Sequence, residues 1–248
     1  MLDFIITGPS RSGTTGLTYL LNSSSEVLCG HETHVLDYWD KDISDRIRNN
    51  ILEKMFYSDR TPSILDFTPK GVTPDMLKTI VETSSTGKEL FDRLNSIAKC
   101  NCVGDKVPGY IVTLPQILKN NPQLKLLICI RDGRSILASH LRGLEPGWAT
   151  DNIKDTEERI VIFMNIINNI ENHDKVIYVP YEHYTQHTDF LIRRLESFLD
   201  TKLSNCNTDK YRDYTDWDDV FKQLPKDYMD KVSPEFIEYQ KKFGYSLV

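Results

Sequence analysis

Apolar positions along this chain follow two spacings, and stretches of the two kinds alternate. Short apolar runs at residues 2–7, 102–104, 124–130 and 176–179 predict buried β-strands. The run 124–130 is apolar at nearly every position, which is typical of a central parallel strand covered on both faces. Between these runs, apolar residues recur every three or four positions, as on one side of an amphipathic helix.

Strands that alternate with helices predict an α/β fold, with a P-loop-type doubly wound, mainly parallel sheet flanked by helices. The block of helices at about 43–98 separates the first strand from the later ones, and we expect it to be a helical insertion on the substrate side. The predicted helices are residues 14–23, 43–57, a helix starting at Thr73-Pro74, then 88–98, 111–118, 135–141, 155–171, 190–199 and a last helix from Ser233-Pro234 to near Gly244.

Length and composition are those of one globular domain. The chain has 248 residues, 40% of them hydrophobic, and no repeat or Gly/Ser linker divides it. We therefore expect residues 1–248 to form a single domain that includes the helical insertion. The net charge of −6 argues against general nucleic-acid binding, although it is compatible with a local basic pocket.

No segment of the sequence reads as a membrane or secretory signal. No apolar run approaches the ~20 residues of a membrane span, and no charged and apolar leader precedes the first strand. The five cysteines are an odd number; Cys100 and Cys102 are too close for a structural bridge, and no second pair completes a zinc site. We expect a cytoplasmic protein with reduced thiols and no membrane or nucleic-acid partner, in an oligomeric state that the sequence leaves open.

The candidate chemistry begins at the segment 8–15, Gly-Pro-Ser-Arg-Ser-Gly-Thr-Thr, between the first strand and its helix. Such a turn directs backbone N–H groups and the positive end of a helix at one point, where an anion binds. Gly8 and Gly13 keep the spacing of an ATP- or GTP-binding loop, but Thr14 stands where that loop has its lysine. Arg11 offers a planar fork to one oxyanion instead. The segment therefore predicts a phosphate site; a plain glycine turn with an exposed arginine is the alternative.

A second group of anion-binding side chains follows the central strand. Arg131 stands at the strand end, and Ser135, Ser139 and Arg142 recur at spacings of four and three on the next helix. Two anion pockets on one sheet indicate a nucleotide with phosphates at both ends. The alternatives are a salt bridge of Arg131 with Asp132 or another neighbour, and a purely structural Ser139.

Three titratable side chains, His31, Glu32 and His34, lie together before the helical block. Their order is not the H-E-x-x-H spacing of zinc peptidases, and no further ligand is evident nearby, so we predict no metal. A general base near an active centre and a surface turn are both compatible with this pattern. Lys106, just after another predicted strand, places a cation at a strand end.

Five stretches of the sequence form a recognisable set, in which the first followed by the third is the specific combination. They read GPSRSGTT, VLCGHETHVL, LLICIRDGRSILASHLR, VPYEHY and LIRRLESFLD. Together they resemble the sulfotransferases that use 3′-phosphoadenosine-5′-phosphosulfate (PAPS), and most of all the arginine-loop branch that includes the tyrosylprotein sulfotransferases. The resemblance covers residues from about 4 to 36 and from 103 to 200, and the later stretch PEFIEYQKKFGY is similar to that family's last helix.

The resemblance implies how the donor would be bound. The positions that match the family's donor-binding residues are Arg11, Ser12, Gly13, Thr14, Thr15, Arg131, Ser139 and Tyr181. The residues 11–15 would bind the 5′-phosphosulfate. Arg131 and Ser139 would hold the 3′-phosphate, and Tyr181 would lie near the adenosine.

The resemblance also implies the reaction, an in-line transfer of the sulfuryl group from PAPS to an acceptor hydroxyl without a metal. The product would be 3′,5′-adenosine bisphosphate (PAP). Glu32 would accept the proton of the hydroxyl, with His31 or His34 as alternatives. Arg11 and Lys106 would stabilise the leaving phosphate. The rival functions are a P-loop kinase or NTPase, which would need Mg²⁺ and ATP, and a catalytically inactive nucleotide-binding protein on the same fold.

Some positions depart from the family pattern. His34 stands where tyrosylprotein sulfotransferases carry a second arginine, and His31 replaces a glutamate. Asp216 stands where a basic residue near the nucleotide is expected, and Lys210 or Arg212 would have to substitute for it. The departures concern the acceptor more than the donor.

The acceptor is expected to be a hydroxyl-bearing small molecule, a glycan or a peptide tyrosine. We expect the helical block 43–98 and the segment 144–156, with Trp148, to shape the acceptor pocket. Neither segment contains a motif that distinguishes among these acceptors.

Overall fold

A parallel β-sheet forms the centre of the fold. The computed structural model describes residues 2–56, 67–141, 153–170, 174–206 and 232–246. Within them the sheet is five-stranded, with the order β2-β3-β1-β4-β5, and consists of β1 (Phe4–Thr7), β2 (Val27–His31), β3 (Cys102–Lys106), β4 (Lys125–Ile130) and β5 (Val176–Pro180). The predicted α/β fold, with a parallel sheet flanked by helices, is confirmed.

Helices connect the strands and cover both faces of the sheet. They are α1 (Thr14–Ser23), α2 (Asp45–Phe56), α3 (Pro74–Thr83), α4 (Gly87–Ile97), α5 (Tyr110–Asn120), α6 (Gly133–Leu141), α7 (Ile153–Asn168), α8 (Glu182–Gln186), α9 (Thr188–Leu199) and α10 (Pro234–Phe243), with short 3₁₀ turns at Val35–Tyr38 and Thr68–Lys70. In the described part of the chain, no helix is both long and apolar enough to cross a membrane.

The winding of the sheet reverses beside β1. The chain runs from β1 to β2 and β3 on one side, and then crosses to β4 and β5 on the other. In open α/β sheets, ligands bind outside the carboxyl ends of the strands at such a reversal. The segment 8–15 follows β1, Arg131 follows β4, and Lys106 ends β3, so the predicted chemistry lies at this edge.

Alternate residues of the strands pack against opposite layers of helices. Ile6 belongs to the hydrophobic cluster that includes α1, α8 and α9, whereas Ile5 belongs to the cluster with α2 to α7 and α10 on the other face. In β4, Leu127 and Ile128 divide in the same way. A strand covered on both faces needs consecutive apolar residues, which explains the nearly continuous run at 124–130.

The predicted helical insertion is present as α2, α3 and α4, which lie between β2 and β3 in the chain. α1 has its predicted bounds, and α3 starts where expected, because the Thr73 side chain accepts a hydrogen bond from the N–H of Met76 at 3.3 Å. α4 starts one residue earlier than predicted, because Thr86 caps it by accepting the N–H of Glu89 at 3.2 Å.

β2 is the strand that the sequence patterns did not predict. Its apolar run is short and is followed by Gly30, which weakens a strand. Long-range contacts hold it instead: β2 pairs with β3 along its length, and the Asn22 amide bonds both the N–H and the carbonyl of Cys29 at 2.8 Å. These bonds satisfy backbone groups on the outer edge of the sheet. The alternative of a surface turn is therefore wrong for residues 29–31.

Candidate functional site

The loop between β1 and α1 has a backbone shape that requires glycine at two positions. Gly8 has φ +144°, and a Cβ there would collide with the carbonyl oxygen of Cys129. Gly13 has φ +96°, and a Cβ there would lie 2.5 Å from Cδ2 of Tyr181. Arg11, at φ 69°, is also in the left-handed region. The loop is thus packed closely against β4 and the start of α8.

The donors of this loop converge where an anion would bind. The first N–H groups of an α-helix have no partner within the helix, and α1 begins at Thr14 with Gly13 as its N-cap. The hydroxyl of Ser12 is buried, and its oxygen has no hydrogen-bond partner within the described residues. A buried polar atom of this kind is costly unless a ligand satisfies it. The loop therefore fits a bound oxyanion.

The two predicted anion sites are in direct contact. The Arg131 guanidinium is nearly buried, with 4% of the residue exposed, and its Nη1 donates to the carbonyl oxygen of Arg11 at 2.9 Å. Arg11 Nε in turn donates to Oγ of Ser139 at 2.9 Å. The guanidinium carbon of Arg131 lies 4.1 Å from the ring centroid of Tyr181, a cation–π contact. The structure therefore brings Arg11, Arg131, Ser139 and Tyr181 together.

Burial changes the electrostatics of Arg131. Desolvation lowers the pKa of its guanidinium, while Tyr181 and Glu182 act in the opposite direction and Arg11 adds to the lowering. Two arginines at one point repel each other. An anion bound between them would relieve both the repulsion and the desolvation.

The C-terminal helix holds the turn that carries Arg131, a feature that sequence reasoning missed. Tyr239 of α10 donates its hydroxyl hydrogen to the Arg131 carbonyl at 2.7 Å and accepts the N–H of Arg131 at 3.2 Å. Gln240 accepts the N–H of Gly133 at 2.8 Å and donates to Oδ1 of Asp132 at 3.0 Å. The similarity of this stretch to a family's last helix was the one available signal, and it indicated no contact with Arg131.

Asp132 is engaged by neighbouring side chains. Its Oδ2 lies 2.7 Å from Nη2 of Arg134, and Nε of Arg134 donates to Oδ1 at 3.1 Å. Together with the bond from Gln240, these contacts make Asp132 a support of its own turn. Among the residues that the structure describes, no three His, Cys, Asp or Glu side chains form a group that could hold a metal ion.

Lys106 connects the loop with the candidate base. Its ammonium group lies 2.8 Å from Oε1 of Glu32 and donates to Oγ1 of Thr15 at 3.3 Å. Lys106 is fully buried, whereas 20% of the Glu32 side chain is exposed. Desolvation lowers the pKa of Lys106, and the Glu32 carboxylate opposes that shift. A carboxylate, a buried lysine and the start of α1 therefore form one cluster.

The histidines beside Glu32 have different surroundings. His31 ends β2 and pairs in register with Lys106. Nδ1 of His34 lies 3.2 Å from Oδ2 of Asp37, in a pair whose side chains are more than a third exposed. The ion pair with Lys106 therefore favours Glu32 as the candidate base of this segment. The positions of Arg142, Trp148, Lys210, Arg212 and Asp216 lie outside the described residues.

Comparisons with known proteins agree with this fold. The sequence model of the family described as "Sulfotransferase family" matches residues 3–205. A comparison with curated protein sequences returned no match.

Solved structures similar to this chain include three sulfotransferases. The sulfotransferase domain from the Synechococcus PCC 7002 olefin synthase has a TM-score of 0.68 at 16% identity, over 100% of this chain and 95% of that one. The sulfotransferase domain from the curacin biosynthetic pathway has a TM-score of 0.64 at 15% identity, over 100% and 99%. A sulfotransferase from Alicyclobacillus acidocaldarius has a TM-score of 0.58 at 13% identity, over 99% and 97%. At these identities, the likeness shows the fold.

Proposed function

The chain belongs to the sulfotransferase family, and we propose that it takes the sulfuryl group from PAPS and transfers it to an acceptor hydroxyl. The observation that carries the choice of donor is the junction at Arg11, whose carbonyl accepts from Arg131 and whose side chain donates to Ser139, each at 2.9 Å. This junction joins two oxyanion sites at one edge of the sheet. PAPS carries oxyanions at the 3′ and 5′ positions of one adenosine.

The loop end of the site suits the 5′-phosphosulfate. The N–H groups at the start of α1 and the hydroxyl of Ser12 would bind its oxygens. Thr14 and Thr15 open the helix at this point, and Lys106 reaches Thr15 from β3. The loop has no lysine after its second glycine. Arg11 and Lys106 would therefore supply the positive charge that stabilises the 5′-phosphosulfate.

The other end suits the 3′-phosphate. Arg131 offers its fork from a nearly buried position, and Ser139 adds a hydroxyl from α6. Tyr181 packs against the Arg131 guanidinium and against Gly13, so it lies between the two ends, where an adenosine would pass. The assignments of these residues to the two phosphates stay predictions that the contacts support.

The chemical steps follow from the charges around Lys106. Glu32 would accept the proton of the acceptor hydroxyl as it attacks. Lys106 and Arg11 would stabilise the charge that develops on the leaving phosphate. Because Lys106 contacts both Glu32 and the start of α1, one cation links the deprotonation of the acceptor to the departure of the phosphate. No step of this scheme requires a metal.

The two rival functions are less well supported. A P-loop kinase would use an acidic residue near Arg131 to hold Mg²⁺. Asp132 is the residue in that place, and its carboxylate already accepts from Arg134 and Gln240. A protein that only binds a nucleotide has no use for a general base. The contact of Glu32 with the buried Lys106 therefore favours an enzyme.

The acceptor is proposed only as a class of hydroxyl compounds. Glu32 and His34 both have positive φ values, 54° and 56°. The chain leads from Glu32 to the His34–Asp37 pair, whose side chains are more than a third exposed. A small molecule, a glycan or a peptide tyrosine is compatible with this surface, and the closer relation to tyrosylprotein sulfotransferases stays a hypothesis. A cytoplasmic location is part of the proposal, in keeping with five cysteines that are all free.

Transfer of radiolabelled sulfuryl from PAPS to a panel of phenols, aliphatic alcohols, glycans and tyrosine peptides tests this proposal. We expect label in at least one acceptor with EDTA present. Phosphate transfer from ATP with Mg²⁺, and none of sulfuryl, would support the kinase. Binding of PAP without transfer to any acceptor in a broad panel would favour the inactive binding protein.

A further inference from the structure

A buried carboxylate beside the candidate base is not used by the chemistry described so far. Asp105 precedes Lys106 on β3 and is fully buried. Its Oδ2 accepts hydrogen bonds from the hydroxyl of Thr33 at 2.6 Å and from the hydroxyl of Tyr110 at 2.8 Å. Desolvation raises the pKa of Asp105, and these two hydrogen bonds oppose the rise. A buried carboxylate is costly, and an apolar residue would fill the same position on the strand without that cost.

The same two hydroxyls hold the backbone that follows Glu32. Tyr110 accepts the N–H of Leu36 at 3.0 Å, and Thr33 accepts the N–H of Val35 at 3.2 Å. Each hydroxyl therefore donates to Asp105 and accepts from the chain between β2 and α2. One carboxylate orients both hydroxyls, because each hydroxyl has a single hydrogen to donate.

The backbone held in this way has an unfavourable conformation. Glu32 and His34 lie in the left-handed region, at φ 54° and 56°. Side chains other than glycine adopt it at a cost in free energy, and such residues persist only where the surroundings determine them. The N–H of Glu32 donates to the carbonyl of Lys106 at 2.6 Å, which holds the start of the segment. Thr33 and Tyr110 hold the rest of it.

We propose that Asp105 is a positioning residue for sulfuryl transfer. Through the hydroxyls of Thr33 and Tyr110, Asp105 fixes the segment Thr33–Leu36 and so keeps the Glu32 carboxylate beside Lys106. Asp105 touches neither donor nor acceptor in this scheme. The proposal rests on the proposed function, in which Glu32 accepts the acceptor's proton. It predicts that losing the hydrogen bonds of Asp105 slows turnover and spares the donor site, because the bonds that join Arg11 to Arg131 and Ser139 involve none of the residues Asp105, Thr33 and Tyr110.

A pair of substitutions at Thr33 separates positioning from a general role in folding. Thr33→Val removes the hydroxyl and keeps the branched shape, whereas Thr33→Ser keeps the hydroxyl. A displacement of about 1 Å at a reacting group can cost about 10²-fold in rate, so we expect Thr33→Val to lower kcat by about 10- to 10²-fold. The KM for PAPS and the Kd for PAP should stay close to those of the parent protein. Thr33→Ser should restore most of kcat.

Substitutions at the other two members extend the test. Asp105→Asn replaces an acceptor by a group that can also donate, and should lower kcat by about 10²-fold. Tyr110→Phe should lower kcat less, because Thr33 still joins the segment to Asp105. Tyr178→Phe, at a half-buried tyrosine on β5 at the opposite edge of the sheet, is the matched control and should leave kcat unchanged.

The outcomes distinguish this inference from the proposed function. An active parent protein with a lower kcat and unchanged PAP affinity in Thr33→Val, restored by Thr33→Ser, supports positioning. Unchanged kcat in Thr33→Val, or equal losses of kcat and PAP affinity, overturns it while the proposed function stands. A parent protein that binds PAP and transfers no sulfuryl group refutes the proposed function instead. If Asp105→Asn fails to fold, the Thr33 pair decides the question.

Discussion

The proposed donor side and the proposed base side of the site reach the same edge of the sheet by different means. On the donor side, the segment 8–15 is shaped by its own glycines and packs against β4, which lies next to the central strand β1. On the base side, Glu32 follows the edge strand β2 and depends on side chains from β3 and α5. Local glycines thus shape the loop of the donor side, which long-range hydrogen bonds then join to Arg131 and Ser139. On the base side, long-range hydrogen bonds hold the segment itself. Substitutions on the donor side should therefore change the Kd for PAP, and substitutions on the base side should change kcat.

Glu32→Gln should produce the largest effect and confine it to turnover. Loss of a general base costs about 10²–10⁴-fold in rate, so kcat should fall by that amount. PAP affinity should change little, because Arg11 and Arg131 keep their contacts. Glu158→Gln, on the exposed side of α7, is the matched control for steady-state kinetics. Retained turnover would assign the proton to His31 or His34 and would remove the contrast between the two sides.

Arg131→Ala should do the reverse and act on donor binding. A hydrogen bond to a charged group contributes about 1.5–3 kcal/mol, so PAP affinity should fall by about 10- to 10²-fold. ADP lacks the 3′-phosphate and should lose far less affinity, and calorimetric titration of both ligands measures the difference. Arg193→Ala, exposed on α9, serves as the control. Equal losses for PAP and ADP would contradict the assignment of Arg131 to the 3′-phosphate.

His140, which lies on the donor side, should lower the free energy of unfolding of the protein in acid. It is buried on α6, and burial, together with Arg11 and Arg159, lowers its pKa from 6.5 to about 4. Between these two values the unfolded chain binds the additional proton, so stability falls as the pH falls. The shift corresponds to a loss of about 2 kcal/mol between about pH 7 and about pH 5.

Urea unfolding of His140→Gln at the two pH values measures this contribution. The variant should lose about 2 kcal/mol less on acidification than the parent protein does. An identical loss in both proteins would show that His140 does not titrate in this window.

Tyr239→Phe should have the smallest effect and should act on the donor side from a distance. The substitution removes the hydroxyl that bonds both backbone groups of Arg131. We expect about 1 kcal/mol of lost stability and a fall of a few-fold in PAP affinity, with kcat at saturation unchanged. Thermal unfolding and calorimetry test this, with Tyr178→Phe as the control. A fall in kcat at saturating donor would mean that α10 also supports the base side.

The sequence named Arg11, Arg131, Ser139 and Tyr181, which the structure brings together, because the signals of this side are largely local. Gly8 and Gly13 are needed by the backbone itself, and Arg131 directly follows a nearly continuous apolar run. The fold class follows from such runs alternating with helical periodicity, since strands covered on both faces must be apolar throughout. Helix starts were predicted from caps such as Thr73, whose side chain bonds the third residue after it.

The base side was predicted less completely because its determinants are far apart in the chain. β2 is stabilised by pairing with β3 and by Asn22, and neither contact leaves a pattern in residues 27–31. Asp105 and Thr33 are 72 positions apart, so no spacing rule connects them. On the donor side, the support that Tyr239 gives Arg131 spans 108 positions and was missed for the same reason. Polar residues that act through tertiary contacts become recognisable only in the folded chain.

Calorimetric titration of the parent protein with PAP and with ADP, each in EDTA, tests the central claim most directly. Two oxyanion sites that meet at Arg11 should bind both phosphates of one adenosine, so PAP should bind at least about tenfold more tightly than ADP, in keeping with the contribution of a charge-assisted hydrogen bond. Addition of Mg²⁺ should not change the PAP affinity. Equal affinities for PAP and ADP, or binding that requires Mg²⁺, would contradict the account.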